Sequence, residues 1–413
     1  MRNFFYSTIE WSRLQRNRNL AIQGVFLFFV IIFGLYLIFQ AFELEISLSH
    51  FSSRAGFGLS HTFLTDYTSN DSRWNAYFTG VINTIRVCLV AILLTTILGT
   101  VMGVARLSKN FLISRIAWVY VEILRNTPLL IQIIFWQIIF LQLPHISKAI
   151  TFGSTTAISN RGILVPWLSP NNNDQLWLIF SIGQLWLIFM GIIALASLSL
   201  SYFFNKREDK TGKKASISIR RGSKTLGFSI GGNLLGILIF GLIGIITFFA
   251  FGQPLGLDLP STSQNIKGTW LQTGGFELSP EFAAILFALV IYTGTFITEI
   301  VRGSIQALSR GQTEAAQAIG LSNYQVISLV VLPQALRSII PPLTNQYLNL
   351  TKNSSLAVVI AYPDLFMVSR TIMNNSGHAL PVFFLILFTY LTLSLFISIV
   401  MNLINRRVTR IGT

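Results

Sequence analysis

Residues 311–334 read Gly311-Gln-Thr-Glu-Ala-Ala-Gln-Ala-Ile-Gly-Leu-Ser-Asn-Tyr-Gln-Val-Ile-Ser-Leu-Val-Val-Leu-Pro-Gln334. The stretch is rich in alanine and carries one charge, Glu314. Glu314-Ala315-Ala316 opens a short helix. Gly320, six residues after the glutamate, stands where a helix stops in a left-handed cap. Ser322 suits the start of a second helix, and Leu332-Pro333 suits its end. The pattern is helix, glycine turn, helix. Helices this short are marginal in water, so a docked partner would stabilise them, and the small alanines permit close approach.

Long apolar runs flank this stretch. A run of about 18 or more apolar residues can cross a bilayer as a helix. Eight runs qualify, at roughly 20–42, 77–105, 112–143, 174–203, 227–251, 281–305, 336–360 and 380–404. The expected fold is therefore an all-α integral membrane protein with eight transmembrane helices. The third run is the least regular, because Glu122, Arg125 and Pro128 fall in its first half. Pro341 and Pro342 near the start of the seventh predict a kink. The first run follows Arg13, Arg16 and Arg18 but is too long for a signal core and lacks a small-x-small cleavage site, so it reads as an uncleaved anchor.

Composition supports the membrane reading. Of 413 residues, 52% are hydrophobic, 34 are phenylalanine and only 11% are charged, against roughly a quarter in soluble domains. The single cysteine, Cys88, excludes an internal disulfide, and four scattered histidines (His50, His61, His145 and His378) offer no metal cluster. The net charge of +15 does not point to nucleic acid, since the cations lie in short segments between apolar runs. Cytoplasmic loops collect Lys and Arg. With the N-terminus inside, the segments 1–19, 106–115, 204–226, 302–337 and 405–413 carry 21 of the 30 cations, and the outside loops carry six. Both termini are thus expected in the cytoplasm. The most basic of these loops, 204–226, reads as a solvated segment that sets topology.

The spacing of Glu314, Ala315, Ala316, Gly320, Val330, Leu332 and Pro333 resembles the coupling loop of ATP-binding-cassette (ABC) importer permeases, a loop that docks on a cytoplasmic ATPase. Gly311 and Gln312 precede the motif. Thr298-Glu-Ile-Val-Arg-Gly-Ser-Ile305 and Tyr120-Val-Glu-Ile-Leu-Arg-Asn-Thr-Pro-Leu-Leu-Ile-Gln132 are similar to signatures of histidine/glutamine-type permeases, with Asn126 where that subgroup usually has glycine. Residues 346–365, from Gln346 to Leu365, resemble the general L-amino acid permeases.

The resemblance implies a type I importer core of five helices, with core segments at 77–143 and 281–404 in a transmembrane domain spanning 77–404. Residues 1–76 would add a cytoplasmic N-terminus, one helix and an external loop, residues 144–280 a two-helix insertion, and residues 405–413 a basic tail. It implies a bacterial inner-membrane subunit for L-amino acid import with no catalysis and no cofactor of its own. ATP and Mg would be bound by a partner ABC ATPase dimer. A second homologous permease subunit and a periplasmic amino-acid-binding protein would complete the machine. No GxxxxGK[ST] phosphate loop is present in the sequence. The alternatives are an importer of another small polar solute, or a secondary transporter independent of ATPases.

Ionisable groups inside apolar runs are costly and mark functional candidates. Glu122 and Arg125, like Glu299 and Arg302, are spaced to pair on one helix face and read as structural clasps. Arg86 is a candidate for substrate contact. Lys352 stands about eight residues from the end of its run, roughly 12 Å by helix rise. With Asn349, Ser354 and Ser355 beside it, it is a candidate for an amino acid carboxylate.

Overall fold

A computed structural model describes residues 19–20, 22–36, 47–152, 156–170, 175–177, 180–181, 186–187, 189–194, 196–197, 199, 201, 215–221, 224–230, 232–250, 255–264 and 270–410. The chain divides into two compact units, Met1–Trp136 with Ala284–Thr413, and Gln137–Ala283. In chain order the longer helices are α1 (Ile22–Tyr36), α2 (Arg73–Arg106), α3 (Phe111–Arg125), α4 (Leu129–Leu141), α5 (Gly232–Ala250), α6 (Pro280–Gln306), α7 (Arg310–Ala318), α8 (Leu332–Asn353), α9 (Leu365–Ser376) and α10 (Ala379–Arg410).

Four described helices are long and apolar enough to cross a membrane: α2, α6, Val326–Ile360 (which contains α8) and Ala379–Thr409 within α10. The pair α3 and α4 makes a fifth if counted as one broken span. Eight straight spans are therefore not found among the described residues. The run at 112–143 breaks after Arg125 and turns by 104°. Pro128 has no N–H and disfavours helix at Thr127. The carbonyls freed at the end of α3 are taken up by side chains. Gln132 donates from Nε2 to the carbonyls of Leu124 (2.8 Å) and Thr127 (3.0 Å). Asn126 Nδ2 and Thr127 Oγ1 donate to those of Glu122 and Ile123, each at 2.8 Å. In hydrocarbon such bonds are obligatory.

The other departures lie at the first run and in the insertion. The first run is described only as α1, 15 residues from Ile22 to Tyr36. Much of 174–203 and of the basic loop 204–226 lies outside the described residues. The run at 227–251 begins as strand, because Lys224–Ile230 pairs with Ala215–Arg221 before α5 starts. The all-α expectation fails for this unit. A four-stranded antiparallel sheet joins Ile150–Phe152, Thr156–Ser159, Gly162–Val165 and Phe276–Leu278 in that order. Burial alternates along Thr156–Ser159 and Gly162–Val165, the period of a half-buried strand. These strands sit in segments outside the apolar runs counted in the sequence.

In the first unit α2 is the central post. Thr95 Oγ1 donates to the Val290 carbonyl of α6 at 3.2 Å. Gly99 and Gly103 then let the two backbones close. A Cβ on Gly99 would stand 2.5 Å from Ile297 Cβ, and one on Gly103 2.7 Å from Val301 Cβ. Small residues four apart are a standard seam for helices in lipid, where no hydrophobic drive brings them together. On its opposite reach α2 holds the turn before α9. Asn83 Nδ2 donates to the Pro363 carbonyl at 2.9 Å, and Thr84 Oγ1 accepts the Leu365 N–H at 2.9 Å. Asp364 caps α9 by accepting the Met367 N–H at 2.8 Å. Thr96 and Tyr347 share a 2.7 Å hydroxyl bond between α2 and α8.

Two predictions arise from this packing. Gly99→Leu should cost about 1–3 kcal/mol by overpacking and lower the melting temperature of the detergent-solubilised protein by several degrees. Gly241→Ala on α5, where an added Cβ meets nothing within 4 Å, should leave it unchanged. The second concerns the segment before α2, where His50 stacks on His378 with ring centroids 4.4 Å apart. Burial, His378 and Arg73 hold the His50 imidazole below its ordinary value. Folding therefore favours the neutral ring. The stability it brings is complete above the ordinary value of about 6.5 and is lost as pH falls through the lowered one. Amide exchange in residues 47–72, corrected for intrinsic rates, should accelerate at about pH 5 relative to neutral pH, and less so in His378→Phe.

Candidate functional site

The loop between α6 and α8 is built as a rigid hook. Three residues separate Gln306 at the end of α6 from Arg310 at the start of α7. Helix α7 ends in paired bonds: the Gly320 N–H to the Gln317 carbonyl (2.9 Å) and the Leu321 N–H to the Ala316 carbonyl (3.2 Å), with Gly320 at φ +84°. This is a Schellman cap, the geometry that selects glycine. Ser322 Oγ then accepts the Gln325 N–H at 3.4 Å while Gln325 Oε1 accepts the Ser322 N–H at 2.9 Å. This reciprocal capping box starts the next helix. Gln325 was not singled out from the sequence, although Ser-x-x-Gln is the readable signal.

The expected stop at Leu332-Pro333 does not occur. Val326–Val331 forms a π-helical turn that runs into α8, and Pro333 lies in the first turn of α8. A widened turn accommodates a residue that cannot donate its N–H. The hook is also cross-tied, because Gln334 Nε2 donates to Gln312 Oε1. Between α7 and the π turn lies a groove of about 540 Å³ lined by Gly311, Ala315, Ala316, Leu321 and Val330, among others. Ala316 is buried, while Glu314 points to the surface. Ile319 and Tyr324 stand 79% and 80% exposed, so the hook presents an apolar surface with no cover in the single chain.

A second cavity lies between the two helices that leave the hook. About 310 Å³ in volume, it is lined by Tyr292, Thr293 and Phe296 of α6 and by Gln346, Asn349 and Asn353 of α8. The spacing 346, 349 and 353 puts three amides on one helix face. From Leu332 to Gln346 is about 20 Å by helix rise. One wall therefore runs continuously from the hook to the cavity, and the other wall feeds into the hook from above.

Of the residues expected along a substrate pathway, only Asn349 lines this cavity. Lys352 is exposed beside it, in the last turn of α8. The Ser354 and Ser355 hydroxyls donate back to the carbonyls of Thr351 (2.8 Å) and Lys352 (2.7 Å), closing the end of α8. The Arg86 guanidinium lies 4.4 Å from the centroid of the Phe63 ring. The carboxylate of Glu299 receives Arg302 Nη2 at 2.7 Å and Nε at 3.0 Å, and Arg106 Nη2 of α2 lies 3.3 Å from its other oxygen. The expected pair Glu122–Arg125 is not made. Glu122 accepts instead from Asn126 at 3.3 Å, and the Arg125 guanidinium sits 5.1 Å from the centroid of the Phe296 ring. An aromatic face stabilises the arginine in place of the carboxylate. Among the described residues no group of three His, Cys, Asp or Glu side chains converges as a metal site would require.

Residues 234–410 match the family described as binding-protein-dependent transport system inner membrane component. The general L-amino acid transport system permease protein AapQ of Rhizobium johnstonii is 38% identical over 356 residues, covering 86% of this chain and 81% of that one. This chain belongs to the amino-acid ABC transporter permeases. The glutamate/glutamine/aspartate/asparagine transport system permease protein BztB of Rhodobacter capsulatus is 35% identical over 391 residues, covering 90% of this chain and 88% of that one. A crystal structure titled as an amino acid ABC transporter with histidines superposes loosely, with a TM-score of 0.43 at 17% identity, over 80% of this chain and 94% of its own. By its apolar helices and its family, the permease is a multi-pass component of the inner membrane, and the family is one of transport components.

The local geometry of the hook yields a test. Gly320→Val forces a branched residue to φ +84°, at about 1–2 kcal/mol. Amide exchange across residues 311–318 should quicken roughly tenfold. Gly311→Ala, with Ser309 Oγ at an ordinary 3.6 Å, should not change it.

Proposed function

We propose that the permease is the transmembrane subunit of an ATP-driven importer of L-amino acids. A cytoplasmic ATPase dimer docks on residues 311–333. A second, homologous permease subunit faces this one, and a periplasmic binding protein delivers the cargo. ATP and Mg are held by the ATPases, and this chain adds no cofactor. The cargo class rests on the relatives, whose names specify L-amino acids, or glutamate, glutamine, aspartate and asparagine. The topology proposed is eight spans with both termini in the cytoplasm, which the loop charges support. The layout is an N-terminal segment to residue 76, core helices at 77–143 and 281–404, an insertion at 144–280 and a basic tail from 405.

One observation carries the coupling mechanism. The helices lining the 310 Å³ cavity are the two that flank the hook. In this reading Glu314 and the Ala315-Ala316 face meet the ATPase, while Gly320 and Ser322 keep the hook rigid. Closure of the ATPases on ATP moves the hook as a body, and α6 and α8 carry that motion to the cavity. The pathway then opens to the outside and takes cargo from the binding protein. Hydrolysis resets it. The amides of Gln346, Asn349 and Asn353 offer both donors and acceptors, suited to the hydrogen-bonding groups of an amino acid.

Two measurements test this. Glu314→Arg should reduce ATPase co-purification at least about tenfold; undiminished recovery would reject the docking role. Asn349→Leu should leave the ATPase bound and slow uptake of radiolabelled glutamine about tenfold, the effect of one lost polar contact. Uptake at the wild-type rate would remove this cavity from the path, and uptake that no amino acid competes would reject the cargo.

A further inference from the structure

The seam between α2 and α6 ends in charge. Gly103, the last glycine of the seam, is three residues before Arg106, and Val301 opposite it is two residues after Glu299. The close backbones bring the two ionic side chains together with exposures of only 16% and 19%. Arg125, on Phe296 one turn before Glu299, adds a third cation beside Arg106 and Arg302.

The two halves of this cluster differ in kind. Arg302 grips Glu299 Oε2 with two hydrogen bonds, at 2.7 and 3.0 Å. Both residues belong to α6, so that grip moves with the helix and survives any displacement of it. Arg106 belongs to α2 and meets Oε1 at 3.3 Å without hydrogen-bond geometry. Its buried Nε also lacks a hydrogen-bond partner. Attraction without direction tolerates small shifts and breaks at larger ones. When it breaks, the carboxylate keeps Arg302 and is not stranded, which spares Glu299 the penalty of a buried charge without a partner.

We propose that Arg106 and Glu299 form a releasable latch that holds α6 against α2 in the resting state and opens when the hook is pulled. Arg302 is the permanent counter-ion that makes opening cheap. Arg106 is a positioning residue: it contacts no cargo and sets the energy needed to move α6, whose last residue lies seven positions beyond Glu299 and leads directly into the hook. The inference rests on the proposed coupling through residues 311–333.

The test uses the complete importer reconstituted in lipid nanodiscs, with ATP hydrolysis measured without binding protein. Arg106→Gln should retain the ATPase and hydrolyse ATP about fivefold faster than wild type, a modest coupling energy. Arg106→Lys, which keeps the charge, should stay near wild type. Unchanged hydrolysis in an assembled Arg106→Gln complex overturns the latch and leaves the functional reading standing. Loss of assembly in Arg106→Gln makes the arginine purely structural and also overturns it. Absence of an ATPase from the wild-type complex overturns the functional reading and the latch together.

Discussion

The contact of α2 with α6 at Gly99 and Gly103 governs the first unit. Lipid supplies no hydrophobic drive to bring two apolar helices together, so contact must come from shape and from backbone-directed bonds. Both are present. The glycines remove the side chains that would hold the helices apart, and Thr95 spends its hydroxyl on the Val290 carbonyl. The same contact places α6, and with it one wall of the amide-lined cavity and the entry to the hook. The same helix α2 bonds the turn before α9 and, through Thr96, α8.

Two uses of polar groups recur in this unit. One set satisfies backbone where a helix ends or breaks: Gln132 and Asn126 at the α3 terminus, Asp364 at the start of α9, Ser354 and Ser355 at the end of α8. A smaller set, Gln346, Asn349 and Asn353, is turned toward a cavity. Ser355 shows how close the two uses lie in sequence. It stands beside the amide face, yet its hydroxyl is bonded to the Lys352 carbonyl one turn back.

The hook was the most legible part of the molecule. Its helix, its glycine cap and its serine cap are local events, decided by a few residues each, and Gly320 and Ser322 do what their positions predict. Pro333 opens a helix where its local sequence suggests an end, because the π turn before it depends on how the chain continues into α8. The broken span at Pro128 was visible as an irregularity, but its 104° turn was not, since a proline says that a helix is interrupted and not where the chain goes next. The strands at 156–165 and 276–278 leave little trace in the sequence, because two of them pair over a separation of more than a hundred residues, and three- or four-residue runs carry little periodicity.

The sequence by itself determined that the chain lives in a membrane, where most of its long apolar runs lie, and that a capped loop hangs between two of its spans. Those are matters of composition, run length and cap chemistry, all local. Only the tertiary structure decided which polar groups meet. It turned Asn349 into the cavity and left Lys352 outside, separated Glu122 from Arg125, and brought Arg106 to Glu299 across almost two hundred residues of chain. Partnership in a low-dielectric interior depends on which backbones approach closely, and that approach was set by two glycines whose role shows only when the opposing helix is in place.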